Sequence, residues 1–319
     1  MAREAQARAR GRSVLGLLLL LGGPAAAADA LVPVARSEAL RVVDRGEGPP
    51  VVLLPGALGT AFGYRRLTGP LVEAGFRTLV VEPLGCGEST RPDDADYSLT
   101  AQADRLRVVL DLMALERAVV VGQGLGVSIA LRLAARHPDR VEGVVALDGG
   151  PAESACSPAL RLALKLGPLV KLLGGPRWMR ASVRKRLVSG SADASWVTEA
   201  VLDGYLGPAS RDFDGTVEMY RRLARAREPE TLRERLPDVR CPVLLLVGST
   251  SHGDGVQPGE IALMASRLKR FDQRAVPGAG QFLAEEAPGA VVTAVRNVLA
   301  DARAAHRVAT GGGNDALGR

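Results

Sequence analysis

Six apolar, β-branched runs recur along this chain, and segments of helical periodicity separate most of them. The runs are "PPVVLLPG", "FRTLVVEP", "RAVVVG", "VEGVVALDGG", "CPVLLLVG" and "FDQRAVPG". Between and after them lie "YRRLTGPLVEAG", "LTAQADRLRVVLDLMAL", "LGVSIALRLAARH", "GEIALMASRL" and "APGAVVTAVRNVLADA". In the second of these, Leu106, Val109, Leu110 and Met113 fall on one helical face. Strands that alternate with helices imply a mostly parallel, doubly wound α/β sheet with helices on both faces. Sites in such sheets lie beyond the carboxyl ends of the strands.

From Pro151 to about Glu228 the strand signal stops, and helical segments broken by Gly-Pro replace it. The expected organisation is therefore an α/β core over 36–150 and 229–305, interrupted by a helical block over 151–228. The last residues, 306–319, read as a disordered tail. At the other end, residues 1–28 read as an export signal. A basic stretch to Arg12 leads into "VLGLLLLLGG" and then into the small residues of "PAAAADA". Cleavage is expected near Ala28 or Ala30, which would make the protein periplasmic or secreted. An uncleaved N-terminal membrane anchor is the alternative. Of the net charge of +6, this segment carries +3 through Arg3, Arg8, Arg10 and Arg12 against Glu4, leaving +3. That is too little to imply nucleic acid as a partner. Three cysteines make no disulfide framework, although one Cys86–Cys156 bridge is conceivable.

The segment "VVVGQGLGVSIALRLAARHPDRV" is a strand, a glycine-rich turn and a helix in immediate succession. Together with "PLGCGES", "AARHPDRV", "PVLLLVG" and "PGAGQFLAEEAP" in register, it resembles the α/β-hydrolase family with a helical cap, from about Glu38 to Ala305. The resemblance implies a serine-type hydrolase whose turn reads Gly-x-Ser-x-Gly. Here that position is Gly124. The base position, a histidine in the family, is Gln281, and the acid position, counted from Gly248, is Ser251. Pro55 stands where the family has an oxyanion-loop histidine, and the backbone N–H groups of Ala57 and Leu125 would form the hole itself. An acyl-enzyme route needs a nucleophile, a base and an orienting acid. Glycine cannot attack and a Gln amide does not exchange a proton near neutrality, so the chain is expected to be inactive in that chemistry.

Other residues could carry a different chemistry. Cys86 lies in a loop at the sheet's carboxyl edge, and His252 and Asp254 lie in the loop of the family's acid; an esterase-like hydrolase using them is the alternative reading. The simpler assignment is a buried thiol and a loop histidine. Asp148 ends a strand and reads as a turn or pocket carboxylate. Ser128, one turn past Gly124, is expected to point into helix–sheet packing, and His137 to close a helix. No metal-ligand spacing is present and no Gly-Lys-Ser/Thr follows the glycine runs, so neither metal nor cofactor is expected. Ser154 to Ala192 contains no acid but includes Arg161, Lys165, Lys171, Arg180 and Arg184 among leucines. Such helices suit an anionic membrane surface, or simply a cap with apolar inner and basic outer faces. The primary expectation is a pseudo-hydrolase that binds a small apolar or acyl-type ligand, or a partner.

Overall fold

The computed structural model describes residues 28–56, 59–155, 175–250 and 255–311. Eight strands form one sheet in the order β1-β2-β4-β3-β5-β6-β7-β8. They are β1 (Ala28–Pro33), β2 (Ala39–Arg45), β3 (Pro50–Leu54), β4 (Arg77–Val81), β5 (Ala118–Gln123), β6 (Val141–Leu147), β7 (Val243–Gly248) and β8 (Phe271–Val276). All six runs read from the sequence are strands, and β3 to β8 pair in parallel. The expected core boundary at residue 36 falls inside the sheet, because β1 and β2 extend it antiparallel from Ala28. β2 escaped notice because its core face includes an acid: Leu40, Val42 and Asp44 all point inward. Arg77 satisfies Asp44 with a 2.6 Å hydrogen bond.

Side chains alternate between the two faces of a strand, and the core divides accordingly. Val52, Val120, Val144 and Leu245 share one cluster with helices α2 (Leu99–Leu112) and α3 (Leu125–Arg136). Val51, Val121, Val145 and Leu244 share the other with α1 (Arg65–Glu73) and α8 (Pro288–Gly311). Strands buried on both faces must be apolar at nearly every position, which is why the central ones were legible.

Between β6 and β7 the described residues form helices α4 (Gly175–Gly190), α5 (Glu199–Arg211) and α6 (Phe213–Arg225). They cover the sheet's carboxyl edge as a cap with a small core of its own. Met179, Val183, Leu187, Leu202 and Leu206 build that core, and Phe282 of the main body inserts into it. Helix α7 (Pro258–Arg267) follows β7. The expected tail does not begin at 306: α8 continues through His306 to Gly311. Residues 1–27 and 312–319, and so the expected export segment apart from its last residue, lie outside the described residues.

Candidate active-site cavity

The chain order diverges between β3 and β5: β4 lies outside β3, whereas β6 lies outside β5. The crevice at this switch point is where a ligand site is expected. The tight turn from β5 to α3 sits there. It closes only because Gly122 has no side chain: a Cβ there would lie 2.5–2.6 Å from the backbone of Gly126. A Cβ at Gly126 would in turn strike the Leu54 carbonyl of β3. Gly124 at the apex has φ 51° and ψ −114°. Its N–H donates to Leu147 O at 3.2 Å, and its own carbonyl accepts from Val127 N at 3.1 Å. Among the described residues, no atom beyond its two chain neighbours lies within 4 Å of where its Cβ would be. The apex is therefore pinned at the backbone and open at the side-chain position.

Above it lies a cavity of about 620 Å³. Gly56, Tyr64, Gly124 and Leu125 line its base; Val183, Arg186 and Leu187 of α4 and Tyr205 and Leu206 of α5 line its cap side. Leu125 is the first residue of α3, so its N–H belongs to the set a helix leaves unsatisfied. Gln281 and Phe282 line the same cavity. Gly124 and Gln281, two of the three positions that the sequence resemblance aligned with a triad, thus meet at one site. Gln281 is buried, and its N–H donates to Gly190 O at the end of α4, at 2.6 Å. Ser251 and the oxyanion-loop Ala57 lie outside the described residues, as do His252 and Asp254.

Asp148 is a cavity residue, as the sequence suggested. It is 2% exposed, and its Oδ1 accepts from Val256 N at 3.2 Å. It is also one of two non-glycine residues with positive φ among the described residues, at 44°, a strained conformation that marks functional sites. Ser128 is fully buried: its hydroxyl donates to Gly150 O and accepts from Ala152 N, both at 2.7 Å. His137 contacts Asp104 Oδ1 at 3.1 Å beyond the end of α3.

Cys86 does not join the site. It lines a separate pocket of about 20 Å³ between its own loop and helices α5 and α6. Burial, reinforced by the neighbouring Glu82, pushes its thiol up to about 12. A thiol held protonated in this way is a poor nucleophile near neutral pH, although Cys86 is only half-buried. It is also free rather than bridged, and Cys156 lies outside the described residues.

Sequence reasoning missed two buried carboxylates. Glu82, at the carboxyl end of β4, is fully buried; it accepts from Ala61 N and Glu88 N at 2.7 Å each. It thereby fixes two loops beside the crevice, and burial raises its pKa. Glu285 is 2% exposed, pairs with Arg65, and accepts from the Tyr205 hydroxyl at 2.8 Å. Burial raises its pKa too. Arg65 also lies over the Phe62 ring at 4.2 Å. This group ties cap helix α5 to α1 and to the turn before α8. The available signal was an acid ending an apolar run, in "TLVVE", and the Glu pair after "QF".

In the basic block, Arg180 pairs with Glu199 and with Asp203 at 2.6 Å, and Arg184 pairs with Glu199. The face expected to present these two charges is therefore neutralised by α5. Arg161, Lys165 and Lys171 lie outside the described residues.

Comparison with known proteins agrees with this architecture. A profile described as alpha/beta hydrolase fold matches residues 49–186. A cis-3-alkyl-4-alkyloxetan-2-one decarboxylase of Shewanella oneidensis is 34% identical over 128 residues, covering 39% of this chain and 40% of that protein. The Klebsiella pneumoniae protein designated carbamate hydrolase RutD is 26% identical over 72% of this chain and 81% of its own length. A Pseudomonas aeruginosa structure designated an epoxide hydrolase superposes with TM-score 0.69 at 23% identity, over 89% of this chain and 99% of that one. The eight-stranded sheet, the glycine turn beneath a helical cap and these matches together show that the chain has the α/β-hydrolase fold and is similar to members of that family.

Proposed function

We propose that this protein is a hydrolase-family member that binds rather than cleaves. It would hold a small apolar or acyl-type molecule in the cavity above Gly124. One observation carries the reading: the apex of the turn presents only hydrogen to an open cavity. Gln281 at the base position supports it, since an amide neither takes nor returns a proton near neutral pH. Losing the triad of a serine hydrolase costs on the order of 10⁶ in turnover and leaves the binding effects. The cavity walls suit an apolar ligand, with Leu125, Val183, Leu187, Leu206 and Phe282 facing it.

The test pairs a covalent probe with a binding measurement. A fluorophosphonate should leave the purified protein unlabelled, aryl esters should not turn over, and medium-chain acyl compounds should raise the melting temperature. Labelling within the cavity, or ester turnover above background, would overturn the proposal. Thiol-blocker-sensitive turnover would restore Cys86, which its raised thiol pKa and its separate pocket argue against. Export belongs to the same proposal and rests on the composition of residues 1–28. Cleavage before Ala28 would keep β1 whole, whereas cleavage after Ala30 would remove residues that pair with β2; N-terminal sequencing of exported protein distinguishes them.

A further inference from the structure

The β8 edge of the sheet stands open. Among the described residues β8 pairs only with β7, and Asp272, Gln273, Arg274 and Ala275 are all exposed. Consecutive side chains point to opposite faces, so this strand overhangs the helical layers on both sides. A groove of about 310 Å³ runs beside it, lined by Phe271, Asp272, Arg274, Asn297 and Asp301 among others.

The backbone polarity of the free edge is fixed. Arg270 O accepts from Val243 N, and Val276 O accepts from Ser249 N. Even-numbered residues thus turn their peptide groups toward β7, and Phe271, Gln273 and Ala275 turn theirs outward. Such an edge is a template for another strand. Charges on edge strands often serve to block pairing, so the question is which partner these charges admit. Asp272 and Arg274 share one face, 3.1 Å apart.

We infer that β8 pairs antiparallel with β8 of a second copy of this chain, about a two-fold axis through Gln273. Of the two-fold registers that use the outward groups, the three centred on the middle of the strand overlap the most residues. Centring on Asp272 or on Arg274 sets like charges directly opposite each other. Centring on Gln273 sets Asp272 of each copy opposite Arg274 of the other, at the closely spaced, non-hydrogen-bonded positions where side chains interact most. The same register places Gln273 against Gln273 and Phe271 against Ala275 as hydrogen-bonded pairs. The strand is thus charged against most partners and complementary to itself. The strand contact is narrow, which makes this an association that depends on concentration.

Sedimentation of the full chain at protein concentrations up to on the order of 100 μM tests this. Wild type should show a monomer–dimer equilibrium. Asp272→Arg or Arg274→Asp alone should weaken dimerisation by roughly tenfold or more, and the double exchange should restore it. Gln273→Cys should form a disulfide-linked dimer on mild oxidation, because a directly opposed pair lies within bridging distance; wild type should not. A wild-type protein that stays monomeric, single charge reversals without effect, or a Gln273→Cys protein that fails to cross-link would each overturn the inference. All three exchanged positions are exposed, and circular dichroism checks that each variant is folded.

Discussion

Gly124 and Gly126 sit two residues apart in one turn and hold their places for different reasons. At Gly124 the constraint is conformational. Among the described residues, a Cβ meets nothing beyond its chain neighbours within 4 Å, but the φ of 51° is one L-residues avoid. Strain of this kind costs about 1–3 kcal/mol. Gly124→Ser should therefore fold, melt several degrees lower in a thermal scan, and show no esterase activity, since Gln281 supplies no base. A Gly124→Ser protein that hydrolyses esters or gains stability would refute this account of the apex. At Gly126 the constraint is contact: an added methyl strikes the Leu54 carbonyl, a backbone atom of a buried strand that cannot swing aside. Gly126→Ala should be the more damaging change by the same measurement. The general chemistry follows from this contrast. The turn is still built to hold a side chain in the cavity, and the chain supplies none.

At the scale of elements, buried ionic groups fasten the packed layers to one another. Arg132 projects from α3 and is 3% exposed. It donates to the Thr100 hydroxyl of α2 at 3.2 Å and to Ala152 O at 3.0 Å, and pairs with Glu153 and Glu228. Glu228 in turn accepts from the backbone N–H groups of Leu99 and Thr100 at the start of α2. Removing the arginine leaves Glu228 without its counter-charge and the Thr100 hydroxyl and Ala152 O without a donor, at about 1–3 kcal/mol, since Glu153 is exposed to solvent. Arg132→Met should lower the denaturant midpoint accordingly, and it also frees Ala152 and Glu153 at the cavity wall. Tyr205, Glu285 and Arg65 play the corresponding part between cap and core. Tyr205→Phe leaves Glu285 without one of its donors and should cost about 1–3 kcal/mol. Limited proteolysis should then reach the cap helices sooner than in wild type. Glu285 Oε2 already lacks a hydrogen-bond partner, which makes this junction sensitive to the loss of another.

Over the whole molecule these groups set the response to pH. Burial raises Glu285 above its ordinary value of 4.5. A carboxyl that holds its proton more tightly when folded stabilises the native state below that value, and the contribution is lost as pH rises through the raised pKa. Glu285→Gln has no proton to lose. The melting temperature of Glu285→Gln relative to wild type should therefore climb as pH rises from 4.5, whatever its offset; a flat difference would show that Glu285 is not shifted. Asp104 has the opposite sign. Burial would raise it, but Arg136 and His137 outweigh that and hold it below its ordinary value of 3.8. Its contribution is present above that value and lost as pH falls through the lowered pKa. The sequence by itself determined the layered fold. "VVLL", "VVVG" and "LLLVG" must be buried on both faces, and their spacing by helical segments leaves few other ways to bury them. It also determined that residues 124 and 281 are a glycine and an amide, which bring neither a nucleophile nor a base of their own. Only the tertiary structure decided that Cys86 faces a pocket apart from Gly124 and Gln281. It alone decided that Arg180 and Arg184 are paired with acids from another helix, that Glu82 and Glu285 are buried, and that, among the described residues, β8 ends the sheet uncovered. Those outcomes depend on which distant segments meet, and residue order fixes a side chain's own chemistry without fixing its neighbours.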